Sequence, residues 1–334
     1  MTIFLLEIRK LNHLSSEICG FCFQLNSCEE GDKKKFVVIF PQNVNLFDKK
    51  YKIITMKTIL VPTDFSEAAR NASEYAVAYA KEFGYKLLLC HVYHIPVISV
   101  PEEPLLVMDN PKVLKRNQME SLNEEAAFLT KNVDVPIECK VSEGFAVDEI
   151  LEMEKEVKPE LIIMGMDTEG AFSELIIGSI ATDVIRKTNT PILLIPEKAK
   201  FKRVEKITLA YDYKLKQDVE ILEPLKMVVK ESNAKLCILN VGKMDLEKDA
   251  EKAIASIKLE KYLADIEYST HFAENDDFSA GVNNFVESSN TDIIAMIPHK
   301  HTFLARLFKE SHTKKIAFRT NVPLLTLPET KPTN

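Results

Sequence analysis

From Met56 onward, short apolar runs alternate with segments in which apolar residues recur at helical spacing. The first run, Thr58–Pro62, has the length of a strand, and the segment that follows, Glu67–Phe83, reads as a helix ended by Gly84. Further strands are predicted at 86–92, 137–141, 161–164 and 192–195, and further helices at 112–131 and Ala146–Val157. Strict alternation of strand and helix predicts a parallel sheet with helices on both faces.

The segment 161–196 holds the clearest candidate for chemistry. Its first apolar run ends at Gly165, and a loop of small and polar residues follows. A helix then begins at Gly178-Ser179, with Ser179 as the predicted N-cap, and a last strand follows Pro191. A loop without bulky anchors in front of a helix N-terminus places backbone N–H groups where an anion can bind.

The second half of the chain repeats the first. The sequence ILVPTDFS at 59–66 returns as ITLAYDYK at 207–214, and the later strands return in the same order. We therefore expect two copies of one α/β unit, residues 56–198 and 203–330, joined by a short linker.

Residues 1–55 lack this alternation. Because Met56 opens the first clear strand, we expect the preceding residues to be a poorly ordered extension or a non-native start. Cys19 and Cys22 have the spacing of a redox motif, but their polar surroundings lack the strand-to-helix context that such a motif needs.

Composition narrows the function classes. With 334 residues, 46% of them hydrophobic, the chain can bury two ordinary cores. A net charge of −7 argues against a nucleic-acid partner. No apolar run approaches the ~20 residues needed to cross a bilayer. Cys90, Cys139 and Cys237 fall in apolar runs, as in a reducing compartment, so we expect a cytoplasmic protein with no membrane partner.

Common phosphate-binding and catalytic motifs do not fit. Gly165 and Gly170 have the first spacing of a P-loop, but Ala171-Phe172 stand where that loop needs Lys and Ser or Thr. No dinucleotide fingerprint follows the first strand, and no residue cluster has metal-binding spacing. Because no general acid, base or nucleophile is placed by motif either, no catalytic residue is predicted, and a non-enzymatic function is favoured.

These residues together resemble the universal stress protein family, here as a tandem pair covering Met56 to about Pro328. The resemblance rests on the segment 59–66, on the order of elements, and on the family's loop G-x2-G-x9-G-S/T. Gly165, Gly178 and Ser179 match that loop, whereas Thr168 replaces its second glycine. The resemblance implies an α/β fold of two tandem, doubly wound, parallel five-stranded sheets with strand order 3-2-1-4-5, the adenine nucleotide alpha hydrolase-like fold.

The resemblance also implies a ligand site at the carboxyl ends of strands one and four, where the strand order reverses. Asp64 and the backbone of Val92 would face the adenine and ribose of ATP or another adenine nucleotide. The amides of 165–168 and 178–181 would hold its phosphates, with Mg²⁺ as counter-ion. The expected binding residues are Pro62, Thr63, Asp64, Val92, Met164, Gly165, Thr168, Gly178, Ser179, Ile180 and Ala181. The structural alternative is that Asp64 caps the next helix and the glycines only shape a loop.

Charge and glycine content distinguish the two halves. The segment 165–185 has four acids and no Lys or Arg, so a bound triphosphate would depend on backbone dipoles and Mg²⁺. The corresponding loop of the second half, 297–311, has no glycine; Glu310 stands at the place of Gly178, and Pro298 lacks an amide donor. We therefore predict no nucleotide site there. Its basic segment is either a solvated face or a docking surface for an unknown acidic protein partner.

We therefore expect a stress-response regulator or sensor that binds an adenine nucleotide in the first unit only. One alternative is a scaffold that binds no nucleotide and acts through protein contacts. Another is an adenylating or ATP-hydrolysing enzyme, which the glycine-poor segment 62–66 disfavours. Because single-domain relatives commonly dimerise through the last strand, segments 193–195 and 324–327 are predicted to pair the two units as an intramolecular pseudo-dimer.

Overall fold

The structure is a computed structural model. The structure describes residues 2–8, 25–30, 33–40, 54–95, 111–169, 174–176, 178–211, 219–241, 257–275, 278–298 and 321–328. The chain divides into two compact units, Met1–Lys57 and Thr58–Asn334.

The first unit contains an antiparallel sheet of four strands in the order β2-β3-β1-β4. These are β1 (Thr2–Ile8), β2 (Leu25–Glu30), β3 (Lys33–Phe40) and β4 (Ile54–Thr55). From the sequence, residues 1–55 were expected to be a poorly ordered extension or a non-native start. Strands that pair across distant parts of the chain leave no local periodicity in the sequence. In the structure the apolar run of β3 pairs with that of β1, with Val38 opposite Phe4. Cys19 and Cys22 lie outside the described residues.

The first half of the second unit is built from five parallel strands in the order β7-β6-β5-β8-β10. Its strands are β5 (Thr58–Pro62), β6 (Lys86–Tyr93), β7 (Ile137–Glu143), β8 (Leu161–Glu169), β9 (Glu174–Ile176) and β10 (Ile192–Pro196). Its helices are α1 (Glu67–Phe83), α2 (Pro111–Thr130), α3 (Ala146–Val157) and α4 (Ser179–Lys187). Counted in chain order, the sheet has the expected order 3-2-1-4-5, with β9 paired to β8 outside it.

The second half has the corresponding order β13-β12-β11-β14-β15, again with parallel neighbours. Its strands are β11 (Lys206–Ala210), β12 (Lys235–Val241), β13 (Tyr268–Ala273), β14 (Ile293–Met296) and β15 (Leu324–Thr326). Its helices are α5 (Glu223–Ser232), preceded by a 3₁₀ turn, then α6 (residues 257–262) and α7 (Phe278–Ser289).

The two halves meet through their last strands. β10 and β15 are antiparallel neighbours, with Leu193 opposite Leu325. These are the segments that the sequence indicated for the pairing edge. This pair joins the two predicted five-stranded sheets edge to edge into one continuous sheet.

Alternate residues of the central strands lie in opposite cores. On β5, Ile59 and Val61 pack with α1 and α2, whereas Leu60 packs on the other face with Ile150 of α3 and Val184 of α4. Strands buried on both faces account for continuous apolar runs without alternation in the sequence.

The linker between the halves is packed onto α1. Ala199 is buried, and the ring of Phe201 lies 5.2 Å from that of Tyr75, edge to face. The Asn71 amide donates to the carbonyls of Pro196 and Ala199, both at 2.9 Å. The segment predicted as a linker is therefore a fixed part of the core.

Candidate functional site

The carboxyl ends of β5 and β8 and the N-terminus of α4 surround an open cavity of about 230 Å³. It lies where the strand order reverses, the usual ligand position in open α/β sheets. The residues predicted from the sequence that line it are Pro62, Thr63, Asp64, Val92, Met164, Gly165, Gly178, Ser179, Ile180 and Ala181. The remaining one, Thr168, lies on β8 opposite Leu175 of β9, and nothing is described of its side chain.

The turn after β5 is fixed by its own side chains. The Asp64 carboxylate accepts the Ser66 N–H at 3.0 Å, and the Thr63 hydroxyl accepts the Phe65 N–H at 3.1 Å. The Ser66 hydroxyl in turn accepts the Ala69 N–H and is the N-cap of α1. Asp64 therefore shapes the turn rather than capping the helix, and its side chain remains exposed at the cavity.

Thr63 is hydrogen-bonded to a buried carboxyl group. Its hydroxyl donates to Glu125 of α2 at 3.3 Å, and its carbonyl lies 2.8 Å from His91 Nδ1. Glu125 is only 6% exposed, and burial raises the pKa of its carboxyl, partly opposed by the charge of Arg70. Its second oxygen has no hydrogen-bond partner among the described residues. This contact fixes the end of β5 beside the cavity.

Gly165 allows α1 to approach β8 closely. A Cβ atom at this position would lie 2.5 Å from the Ala68 carbonyl oxygen and 2.9 Å from the Ala69 nitrogen. Both contacts are with backbone, which cannot move aside as a side-chain tip can. The glycine thus has a packing role that also brings the N-terminus of α1 to the cavity wall.

The predicted loop after Gly165 is in fact a hairpin. β8 continues to Glu169, and Asp167, Thr168 and Glu169 pair with β9. Because successive N–H groups of a strand point to opposite sides, the amides of residues 165–168 cannot all converge on one phosphate. The loop prediction was therefore wrong for these residues, and at most alternate amides of this set can face one phosphate; their role in binding stays a prediction.

The N-terminus of α4 remains as the candidate for an anion-binding element. Its N-cap is Gly178, not Ser179 as predicted; Ser179 is the first helical residue. Because the Thr182 N–H makes the first helical bond, to Gly178 O at 2.9 Å, the N–H groups of Ser179, Ile180 and Ala181 have no acceptor within the helix. Gly178 has open space where a side chain would be. These donors can bind an anion in the cavity.

The described cavity wall is weakly charged. Asp64 is its one ionisable acid, and no Lys or Arg belongs to the described lining. No group of three or more His, Cys, Asp or Glu residues that could hold a metal ion occurs among the described residues. Backbone dipoles are therefore the main positive element of the described site.

The model of the universal stress protein family matches residues 55–196, the half of the chain that contains this cavity. A universal stress protein of Thermus aquaticus is 34% identical over 142 residues, which cover 42% of this chain and 98% of that relative. The chain belongs to the universal stress protein family. A solved universal stress protein of Archaeoglobus fulgidus is 20% identical; the match covers 82% of this chain and 98% of that one with a TM-score of 0.63, and it extends the shared fold to both halves.

Among other solved members of the family is a universal stress protein in complex with cAMP. It is 21% identical, and the match covers 42% of this chain and 96% of that one with a TM-score of 0.30.

Several cavity residues of this universal stress protein were missed from the sequence. They are Ser66, Ala68, Ala69, Cys90, Ala146 and Ile150. Cys90 lies two residues before Val92 on β6, so both side chains lie on the same face of the strand and Val92 could have indicated Cys90. Ile150 lies four residues after Ala146 on α3, so these two share a face of the helix in the same way. Burial raises the pKa of the Cys90 thiol to about 12, an effect that Lys140 opposes, so Cys90 contributes apolar wall rather than a thiolate.

The corresponding crevice of the second half is only partly described. Tyr211, Ile297 and Pro298 are placed, whereas Asp212, Glu310 and the basic segment 299–320 lie outside the described residues. The absence of a nucleotide site in that half and the docking surface therefore stay predictions. No helix in the described part of the chain is both long and apolar enough to cross a membrane.

Proposed function

We propose that this universal stress protein binds an adenine nucleotide in the cavity of its first half and acts as a stress-response regulator or sensor. One observation carries the proposal. The turn Pro62–Asp64 and the N-terminus of α4, 114 or more residues apart in the chain, meet at one cavity at the reversal of strand order. The base and the phosphates of a nucleotide can each contact a suitable surface of this cavity.

The cavity lining offers three kinds of surface. Val92, Cys90 and Ile150 give it an apolar wall suited to a purine, and Asp64 can accept hydrogen bonds from ribose hydroxyls. The amides of Ser179, Ile180 and Ala181 can bind phosphate. A nucleotide carries a group that suits each of these surfaces.

The size and charge of the cavity limit how the nucleotide is held. Its volume, about 230 Å³, is below the roughly 300–1,000 Å³ of pockets that enclose drug-sized ligands. The terminal phosphates would therefore lie in the open mouth. Mg²⁺ would be carried by these phosphates and water, with Asp64 as the nearest carboxylate of the lining, because the described residues form no metal cage of their own.

The paired halves would be an intramolecular counterpart of a homodimer. The antiparallel pairing of β10 with β15 and the repeated strand order support a division into domains 56–198 and 203–330. We propose that only the first domain binds nucleotide, because in the second the sequence has Pro298, which lacks an amide donor, and Glu310, which brings a carboxylate where the first has Gly178.

Calorimetric titration of the full chain with ATP, ADP and AMP in the presence of Mg²⁺ tests this proposal. We expect one nucleotide bound per chain. Two equivalents would contradict the restriction to the first half, and none would favour a scaffold that acts through protein contacts. Consumption of ATP with an acyl acceptor would instead indicate an adenylating enzyme.

A further inference from the structure

Two aromatic rings belong to residues that neighbour the cavity lining in the chain but are not part of it. Phe145 directly precedes Ala146, which lines the cavity, and His94 follows the lining residue Val92 by two positions. The two rings stack with their centroids 5.1 Å apart and an angle of 24° between their planes. Phe145 is 69% exposed, so one face of this pair is open to solvent.

Neither helix stability nor core packing explains a phenyl group at this position. Phe145 is the N-cap of α3, where it makes no side-chain capping bond. Ser, Thr, Asp or Asn would stabilise the helix more at that position. Phe128 on α2 is 60% exposed as well, but isolated exposed apolar residues are common and it has no such place beside a cavity.

A backbone hydrogen bond joins the two segments that carry the rings. The Gly144 N–H donates to the Tyr93 carbonyl at 3.0 Å, which ties the segment after β7 to the end of β6. The rings therefore extend from neighbouring parallel strands, with Tyr93 opposite Glu143. A platform held in this way loses little side-chain entropy when a flat ligand stacks on it.

We propose that Phe145, supported by His94, is a stacking platform for the purine base of the bound nucleotide. This inference rests on the proposed function and adds an orientation to it: the base lies towards β6 and β7, and the phosphates lie at the N-terminus of α4. Stacking recognises the aromatic face of a base and needs no hydrogen-bond donor, which suits the apolar wall of Cys90, Val92 and Ile150.

Titration of four full-length proteins with two ligands tests the platform. The proteins are the wild type, Phe145→Ala, Phe145→Trp and the matched control Phe128→Ala. The ligands are ATP and inorganic tripolyphosphate, which carries the phosphates without the base. We expect Phe145→Ala to weaken ATP binding by about 5- to 30-fold, because an aromatic platform contributes on that scale to the binding of one base. Phe145→Trp and Phe128→Ala should change ATP binding less than about twofold, and tripolyphosphate binding should be the same in all four.

The outcomes separate the platform from the function on which it rests. A wild type that binds ATP while Phe145→Ala binds it equally well would overturn the platform and leave the proposed function intact. Equal loss of ATP and tripolyphosphate affinity in Phe145→Ala, with native circular dichroism, would also overturn it. A wild type that does not bind ATP would contradict both proposals.

Discussion

Gly165 and Gly178 both line the cavity, but the structure requires glycine only at the first of them. At Gly165 a side chain would collide with the backbone of α1, whereas at Gly178 it would enter open space. One glycine therefore serves the packing of the fold, whereas the other has open space around it at the N-terminus of α4.

We predict that Gly165→Ala lowers the free energy of unfolding by about 1–3 kcal/mol, the usual cost of overpacking. Its Cβ would lie 2.5 Å from the Ala68 carbonyl oxygen. The control is Gly178→Ser, which has space and a good N-cap side chain and should change stability by less than about 0.5 kcal/mol. Urea unfolding of the wild type and the two variants measures these changes in stability. Equal stability of the two variants would contradict the packing role of Gly165.

Glu125 makes the stability of the first half depend on pH. Burial raises the pKa of this carboxyl above its unfolded-state value, so the folded state holds the proton more tightly and loses stability as pH rises through that interval. In the Glu125→Gln variant, the side-chain amide oxygen can still accept the hydrogen bond from the Thr63 hydroxyl, and residue 125 no longer has an ionisable group.

The gain in stability from Glu125→Gln should therefore be smallest below the unfolded-state pKa of about 4.3 and should grow towards neutral pH. Urea unfolding of both proteins at about pH 4 and about pH 7 tests the sign. A difference in stability that stays constant or shrinks as pH rises would show that Glu125 is not destabilised in its charged form.

At the level of elements, one buried carboxylate connects α3 to the turn between α4 and β10. Glu154 Oε1 accepts from the hydroxyls of Thr188 and Thr190, both at 2.7 Å, and from the Asn189 N–H at 3.1 Å. We predict that Glu154→Ala destabilises the fold by about 2–4 kcal/mol, because these buried donors lose a charged acceptor. Glu152→Ala, on the exposed face of the same helix, should change stability by less than about 0.5 kcal/mol in the same urea experiment.

Local sequence pattern predicted those elements whose ends carry a local signal. α1 was predicted from its helical spacing and from Gly84, which caps its end, and β5 from its apolar run; the N-cap of α1 is Ser66, whereas the sequence had offered Asp64. The β8–β9 hairpin was missed because Gly165 read as a break and the pairing of Thr168 with Leu175 leaves no periodicity in either segment. The same reason explains the missed sheet of the first unit, where β1 and β3 lie far apart in the chain.

The candidate site was predicted as far as its residues lie in recognisable segments. Asp64, Gly165 and Gly178 stand in the motif that carries the family resemblance. Ala146 and Phe145 were not found, because their place beside the cavity depends on the pairing of β7 with β6 rather than on any motif. The packing role of Gly165 likewise depends on the contact with α1.

For the whole molecule, β10 and β15 pair within one chain, and we propose that this pairing stands in place of a contact between two chains. The 142 matched residues cover 98% of the Thermus aquaticus relative, so one half of this chain corresponds to a complete protein. We predict that the fragment 56–198 forms a homodimer through its exposed β10 edge, whereas the full chain is a monomer. Light scattering after size-exclusion chromatography measures both masses, and a folded, monomeric fragment would contradict this account of the interface.

The central claim is that the N-terminus of α4 in the first half binds the phosphates of an adenine nucleotide. Gly178→Asp tests it most directly, because Asp is a good N-cap and has space there but brings a negative charge to the anion position. Gly178→Asn, which is the neutral match, is the control.

Calorimetry with ATP on the wild type and both variants is the decisive measurement. We predict that Gly178→Asp weakens ATP binding by about 10- to 100-fold while its thermal stability is equal to or above that of the wild type. Gly178→Asn should bind ATP within about threefold of the wild type. Equal ATP affinity in Gly178→Asp and Gly178→Asn would contradict the claim.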